Sequence, residues 1–409
     1  MKEQTLSERL PRVSIKKGRE WHIRRGHPWL FSGGISQAPS KVLPGGIVEL
    51  LDIDGKYVAT GYFNANCDIA VRILSRKQGE KIDKTFLTER VKAAWALRQQ
   101  CINIGETNVF RLVNAEGDFL PGFIVDYYDR VLSVQSHTAG SDRLLDDFIE
   151  SLRDVIEPRA IILRNDLAVR KREGLEPEEP RVVHGSFEGK IQVKENGHTF
   201  LVDPLSGQKT GFFTDQRDKR LAIAEIVRRL PEGCSLFNGF CYTAGFSVYA
   251  ASANWKVRTI NVDESERALD EARANFQLNG IEEEKHEFHC ADVFSFLESS
   301  TARGLTHEVV ILDPPAFAKS AKDKAKALKA YARMTRLGVA ATAQEGILVL
   351  CSCSGAIDLQ EFLATVSEAV GHSARSAQVI QTFQHGSDHP INLIAPEGGY
   401  LKVVFLRVS

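Results

Sequence analysis

Two periods of hydrophobic spacing divide the chain. Through residues 1–75, β-branched and aromatic residues alternate with polar ones in "RVSIKKG", "GGIVELLDIDGKYVATGYFN" and "IAVRILS". A period of two predicts short strands, and Asp54-Gly55 is a hairpin signal. Together they predict a small β-barrel. Residues 82–103 switch to helical spacing, with Phe86, Val91, Ala94, Trp95 and Leu97 as the apolar positions. Strands return in "VFRLVNAEGDFLPGFIVDYYDRVLSVQ" and "AIILRND", and the acidic, proline-bearing "EGLEPEEPRVVHG" reads as a linker ending near residue 185.

From about residue 190 the two periods alternate. The helix "DQRDKRLAIAEIVRRL" precedes the strand "CSLFNGF", a glycine-containing turn and a helix near 245–253. The strand "KVRTINVD" and the helix "ESERALDEARANFQLNG" follow. That helix carries Ala268, Leu269, Ala272 and Phe276 on one face, and Gly280 marks a left-handed stop. Then come "HEFHCAD", a helix, "EVVILDPP", a long helix, "EGILVLCSC", another helix, and the pair "SAQVIQTFQHG" and "YLKVVFLRV". Strands alternating with helices predict an α/β fold whose parallel sheet is covered on both faces. The expected domains are a small β-barrel at 1–76, a small α/β domain at 77–188 and a Rossmann-like domain at 189–409.

Composition narrows the class. At 409 residues the chain is too long for one ordinary core, and 43% hydrophobic with 26% charged residues is normal for a globular protein. No run of 18 apolar residues suggests a membrane span, and the polar start lacks the apolar middle of a signal peptide. A cytoplasmic location is the expectation. Seven scattered cysteines, an odd number, argue against a disulfide framework and against a metal site of paired C-x-x-C motifs. The net charge of −1 does not favour a nucleic-acid partner, but two local runs do. Residues 9–25 hold Arg9, Arg12, Lys16, Lys17, Arg19, Arg24 and Arg25 against Glu20; residues 319–336 hold Lys319, Lys322, Lys324, Lys326, Lys329, Arg333 and Arg336 against Asp323. Such runs suit phosphate contact, though by themselves basic runs are more often solvated helix faces.

Ligands of an open parallel sheet bind at the carboxyl ends of its strands. Four of these ends carry useful chemistry. "LFNGFCYTAGFS" turns on Gly239 and Gly245 without the dinucleotide fingerprint. Asp263 closes "TINVD" where a carboxylate could take a ribose diol, or simply cap the next helix. Asp292 in "HCADVF" could meet an adenine edge. In "LDPPAF" two prolines stiffen the turn and fix the direction of Asp313, which makes this end the most specific of the four.

An acid after the second strand, an acid after the third and D-P-P after the fourth resemble class I S-adenosylmethionine-dependent methyltransferases. "KTGFFTDQRDKR", "FCYTAGFSVYAA", "VDESERALDEARANFQLNG", "LDPPAFAKS" and "CSCSG" resemble, in order, motifs of the 23S rRNA (cytosine-5) methyltransferase family with an N-terminal PUA domain. "RRGHPWLFSGGI" and "FRLVNAEGDFLPGFIVDYYDRV" look like that family's PUA and central domains, so the likeness covers nearly the whole chain. It implies S-adenosylmethionine as cofactor, held by Gln216, Arg217, Asn238, Tyr242, Asp263, Asp292 and Asp313, and no metal. It implies large-subunit rRNA as partner and allows a homodimer. Two positions depart from the pattern: Asn238 stands where an acid is expected and Ala244 where glycine is expected. Lys209 and Phe212 fall in the segment that the resemblance sets against the cofactor.

Cytosine C5 is too weak a nucleophile to attack a methyl sulfonium unaided, and a thiolate added at C6 makes it enamine-like. Cys353 in "VLCSCSG" matches the family's nucleophile position, which makes Cys353 and Asp313 the expected catalytic pair. Asp313 would serve N3 of the base, with its pKa raised by burial. Cys351 falls on the same face of the strand, deeper in the sheet, and reads as packing. A disulfide between them lies at the far limit of reach. Glu397 is a candidate base for the C5 proton, and Phe317 a candidate stacking partner or a core residue. His27 and Trp29 read as core packing. A methyltransferase acting on another base or on an exocyclic nitrogen, and a non-catalytic RNA-binding assembly factor, are the rival readings.

Overall fold

The computed structural model describes residues 10–207, 210–318 and 320–409; Arg9, Lys209 and Lys319 lie outside the described residues. The chain forms two compact units. One takes the described residues through Ile191 with the segments Asp203–Phe212 and Ser387–Gly398, and the other takes Gln192–Val202, Phe213–Gly386 and Gly399–Ser409.

The first unit holds two sheets. Six strands between Arg12 and Ser75 form one, antiparallel except where Arg12–Ile15 runs parallel to Gly46–Leu51. The period of two is visible in its core, where Val13 and Ile15 on one strand meet Val48 and Leu50 on another. At the hairpin Asp52 accepts from the backbone N–H groups of Asp54 (3.0 Å) and Lys56 (2.8 Å), and Gly55 takes a φ of +77°. A short helix, Glu20–Arg24, interrupts the first basic run, which the strand-like spacing did not indicate. The second sheet has five strands, and the helix Lys84–Cys101 starts where Asp83 accepts from the Phe86 N–H. Its last strand, Arg181–Gly185, pairs antiparallel with Ala160–Leu163. The expected linker therefore ends in an edge strand, formed by the β-branched pair Val182-Val183.

The second unit is built on a seven-stranded sheet. Its strands are β1 Ser235–Gly239, β2 Arg258–Asp263, β3 Glu287–Cys290, β4 His307–Leu312, β5 Thr342–Ser352, β6 Ala377–Phe383 and β7 Lys402–Val408. Its helices are α1 Arg217–Val227, α2 Gly245–Ala253, α3 Glu266–Leu278, α4 Val293–Ala302, α5 Lys324–Ala341 and α6 Leu359–Gly371. The spatial order is β3-β2-β1-β4-β5-β7-β6. The first five strands are parallel, as the alternation requires. β7 is antiparallel to both β5 and β6, a departure from the all-parallel expectation. Parallel neighbours need a crossover, and the described chain between β6 and β7 carries one short 3-10 turn, Pro396–Gly398, and no helix.

Apolar clusters cover both faces of this sheet. Tyr331, Met334 and Phe362 pack on one, and Ile223, Val227 and Phe246 on the other. Local signals set the helices: Ser265 caps α3 by accepting from the Ala268 N–H, and Gly280 beyond it has a φ of +68°. Because β1, β2, β4 and β5 run the same way, their carboxyl ends share one edge of the sheet. The candidate chemistry lies on that edge.

Candidate functional site at the carboxyl edge of the second sheet

Asp313 follows β4 directly. Its Oδ2 accepts from Gln216 Nε2 at 2.9 Å, and its backbone N–H reaches Gly239 O at 3.4 Å. That approach of β4 to β1 needs a glycine at 239, where a Cβ would meet Val293 Cγ1 at 2.7 Å and Leu312 Cδ2 at 2.9 Å. Cys351, near the end of β5, is fully buried beside the same carboxylate. Burial, then the Asp313 charge and its hydrogen bond, push the Cys351 thiol well above its ordinary pKa, against the weaker pull of Lys219 and Gln216. Cys351 is thus a protonated thiol that donates to Asp313.

Cys353 lies just past β5 and is half-buried, with Sγ 3.7 Å from Pro314 O in the D-P-P turn. Both cysteines pack with the same apolar cluster, as strand alternation predicts. The turn after β4 and the end of β5 therefore bring together Gln216, Asp313, Cys351 and Cys353.

Lys402 completes this end of the site, and the sequence reading missed it. It opens β7 opposite Ser352, with only 3% of its surface exposed. Its ammonium donates to Ser354 O (2.7 Å) and Tyr400 O (2.8 Å), one acceptor being the carbonyl of the residue after Cys353. Burial lowers this amine to about 8, opposed by the charges of Cys353, Asp358 and Glu361. A lysine inside the otherwise apolar "YLKVVFL" was the available signal, because burying a cation there needs a reason.

The ends of β1 and β2 are joined by the loop before α2. Phe240 (φ +59°), Tyr242 (+49°) and Ala244 (+58°) all take left-handed backbone, which L-residues adopt at a cost. The expectation of glycine at 244 was therefore sound in conformation, and alanine fills the position under strain. Asp263 holds the loop: Oδ2 accepts from the Tyr242 N–H at 2.9 Å and Oδ1 from the Ser265 N–H at 3.0 Å. Arg217 opens α1 almost wholly buried.

Two residues expected at the cofactor also have partners within the fold. Asn238 Nδ2 donates to Ser247 Oγ (2.9 Å), which donates to Asn261 Oδ1 (2.6 Å), a polar chain buried beneath α2. Asn238 Oδ1 and Gln216 Oε1 are buried without a hydrogen-bond partner among the described residues. Asp292 caps α4, accepting from the Ser295 N–H at 2.8 Å and its hydroxyl at 2.6 Å. Those bonds from Ser295, first the hydroxyl and then the N–H, lower its pKa.

Phe317 packs on Tyr331, ring centroids 4.8 Å apart, which is the core alternative. Phe212 and Glu397 both belong to the first unit. Trp29 Nε1 donates to Glu116 at 2.9 Å, and its backbone N–H donates to His27 Nδ1, so this pair packs rather than ligates. No group of three or more metal-ligating side chains occurs among the described residues, and no described helix is long and apolar enough to cross a membrane.

The buried, partnerless oxygen of Gln216 and the strained loop over β1 fit an S-adenosylmethionine site at this edge. Comparison with known proteins points the same way. Residues 181–405 match the S-adenosylmethionine-dependent methyltransferase family, and residues 13–76 match a PUA-like domain. The chain is 37% identical over 397 residues to the ribosomal RNA large subunit methyltransferase I of Aeromonas hydrophila, covering 97% of this chain and 98% of that protein. To the Photobacterium profundum protein of the same name it is 38% identical over 392 residues, covering 95% and 97%. Among solved structures, a SAM-dependent methyltransferase from Streptococcus mutans shares the fold at a TM-score of 0.83 and 21% identity, over 97% of this chain and 100% of that one. A methyltransferase complexed with SAH superposes at 0.84 with 21% identity, over the same shares.

Proposed function

Since the chain belongs to the ribosomal RNA large subunit methyltransferase I family, whose cofactor is S-adenosylmethionine, we propose that it methylates C5 of a cytosine in large-subunit rRNA through a covalent adduct on Cys353. The observation that carries the reading is the pairing of two cysteines with opposite character. Cys351 is sealed in and kept protonated first by burial and then by the Asp313 charge, while Cys353 stands half-buried at the strand end. Bound S-adenosylmethionine supplies an electrophilic methyl group on a sulfonium.

The residues divide the work as follows. The Cys353 thiolate adds to C6, and the C5=C6 electron pair moves to C5, which takes the methyl group. Loss of the C5 proton and departure of the Cys353 sulfur from C6 then restore the ring. The Lys402 ammonium, hydrogen-bonded beside Cys353 and buried, favours the thiolate at its start and at its release. Asp313 receives donors from Gln216 and Cys351. In this reading Asp313, with two donors already on it, faces the N3 and exocyclic-amine edge of the cytosine. Gln216, Arg217, Tyr242 and Asp263 hold the cofactor, with Asp263 acting on the ribose or through the loop it anchors. The division into parts at 76 and 188 and a cytoplasmic setting belong to the same proposal.

The test is trapping. An RNA with 5-fluorocytosine at the target should hold the enzyme in a complex that survives denaturing electrophoresis, because fluorine does not leave as a proton does. Peptide mapping should place the adduct on Cys353, and Cys353→Ala should abolish trapping and turnover. Trapping that persists in Cys353→Ala but vanishes in Cys351→Ala would reverse the two roles. No trapping on a target that the enzyme does methylate would favour transfer to an exocyclic nitrogen.

A further inference from the structure

Within the first unit, a cavity of about 310 Å³ opens between the first sheet and the helix Lys84–Cys101, lined among others by Arg76, Lys77, Arg90, Phe119 and Pro121. Two features of its wall have no return in the fold itself. Phe119 is the first. It sits in left-handed backbone (φ 57°, ψ 30°), where asparagine or glycine is at ease and a bulky side chain is an outlier. A strained phenylalanine ordinarily recovers its cost by burying the ring, yet Phe119 is 52% exposed.

Arg90 is the second. Its guanidinium lies over the Phe86 ring at 5.1 Å and the Phe119 ring at 5.5 Å, and makes no hydrogen bond or ion pair among the described residues. Arg76 spends two donors on Ile23 O and His27 O, both at 2.9 Å. Burial and then the neighbouring Arg90 lower the pKa of Arg76, and burial lowers that of Arg90, against the pull of Glu80. Of the two carboxylates on the wall, Glu116 pairs with Arg72 (3.7 Å) and accepts from Trp29, while Glu80 accepts from Ser75 and its charge still acts on Arg90. Three cations, Arg76, Lys77 and Arg90, outnumber the two carboxylates on this wall, and the donors that Arg90 leaves unspent among the described residues make a place for an anion.

We propose that this cavity is a subsite for one nucleotide of single-stranded RNA, its base stacked on the exposed face of Phe119 and its phosphate held by Arg90 and Arg76. An aromatic platform beside guanidinium groups matches both halves of a nucleotide, and stacking tolerates any base. A free anion would explain the arginines but not the strained, exposed ring. The subsite rests on the RNA-substrate part of the proposed function, and the nucleotide it holds is not the one that reacts.

Anisotropy of a labelled oligouridylate on the full-length protein tests it without any methyl transfer. Phe119→Asn suits the left-handed backbone, so thermal stability should hold or rise while affinity falls about tenfold, with the salt dependence unchanged. Arg90→Gln should weaken binding and flatten the log–log salt slope by about 0.7. A 4-thiouridine oligonucleotide should crosslink to the peptide that carries Phe119, and a duplex of equal length should bind without regard to Phe119→Asn. Wild-type affinity in both variants, or crosslinks confined to other peptides, would overturn the subsite. So would displacement of the oligonucleotide by millimolar inorganic phosphate with Phe119→Asn inert, which would leave a plain anion site. Loss of 5-fluorocytosine trapping bears only on Cys353, so the two proposals fail separately.

Discussion

The amine of Lys402 sits between two backbone carbonyls with 3% of its surface exposed, and burial brings its pKa down to about 8 from the usual 10.5. A base whose folded pKa lies below its unfolded one is protonated more readily by the unfolded chain. Its penalty on folding is fully present below about pH 8 and is relieved as pH climbs toward 10.5. Lys402→Met should therefore raise the denaturation midpoint at pH 7, and the gain over wild type should shrink between pH 8 and 10. Taking the difference between the two proteins removes the other groups that titrate there. The same substitution should slow chemistry, because the thiolate of Cys353 loses its neighbouring cation. Iodoacetamide labelling of Cys353, followed by peptide mass, should shift to higher pH in Lys402→Met and return toward wild type in Lys402→Arg. Equal labelling profiles would show that Lys402 does not act on Cys353. Cys351 should resist labelling throughout, since it is fully buried beside a carboxylate. Residues at this scale were legible where a strand end fixed their place, as with Asp313 and Cys353. Asp292 was legible only as an acid after a strand, a position that serves a ligand or a helix cap equally well, and here it caps α4. The buried partners of Asn238, Ser247 and Asn261, were not legible, because α2 and β2 bring them to it from other elements.

Among the elements, the loop from β1 to α2 stores the most backbone strain, with three non-glycine residues in left-handed conformation within five positions. Ala244 is the informative one, because it is fully buried and opens α2. Relief of left-handed backbone in Ala244→Gly is worth roughly 1–2 kcal/mol, and the lost methyl burial costs about 0.8 kcal/mol. The variant should thus gain up to about 1 kcal/mol in urea denaturation, and a net loss would mean the methyl packing dominates. Asp263 should behave in the opposite way. Asp263→Ala removes acceptors from the Tyr242 and Ser265 N–H groups, so S-adenosylmethionine affinity should fall about tenfold by calorimetry, at roughly 1.5 kcal/mol per charge-assisted bond. Unchanged affinity would move the cofactor off this loop. In the second unit the element types were readable from period, and the α3 stop at Gly280 from one residue, whereas the short helix Glu20–Arg24 of the first unit was not. Pairing was not. The antiparallel insertion of β7 between β5 and β6 depends on a connection without a crossover helix, and a β-branched pair after a proline-rich stretch gave no sign of the sheet it would join.

For the molecule as a whole, a net charge of −1 is a poor guide to a polyanionic partner, because the cations are unevenly placed. In the run at the start of α5, Lys324 is paired with Glu361 and Arg333 with Glu298, so these two are already compensated. Lys322, Lys326, Lys329 and Arg336 are exposed and make no ion pair among the described residues. Their side chains are long and solvated, so changing them should leave the cores beneath α5 intact. If rRNA lies against this helix, each neutralised phosphate releases counterions, and the affinity should fall with salt at a slope of about 0.7 per contact for single-stranded RNA. Replacing all four with glutamine takes the net charge from −1 to −5, four cations fewer, and should flatten the log–log slope by at most about 3. The deficit in affinity should be large at low salt and should close as salt rises, because the lost term is the screened one. Thermal stability and S-adenosylmethionine affinity, measured on the same variant, separate loss of contact from loss of fold. A parallel drop at every salt concentration, with the slope kept, would mean that α5 supports the site mechanically and does not touch the phosphate backbone.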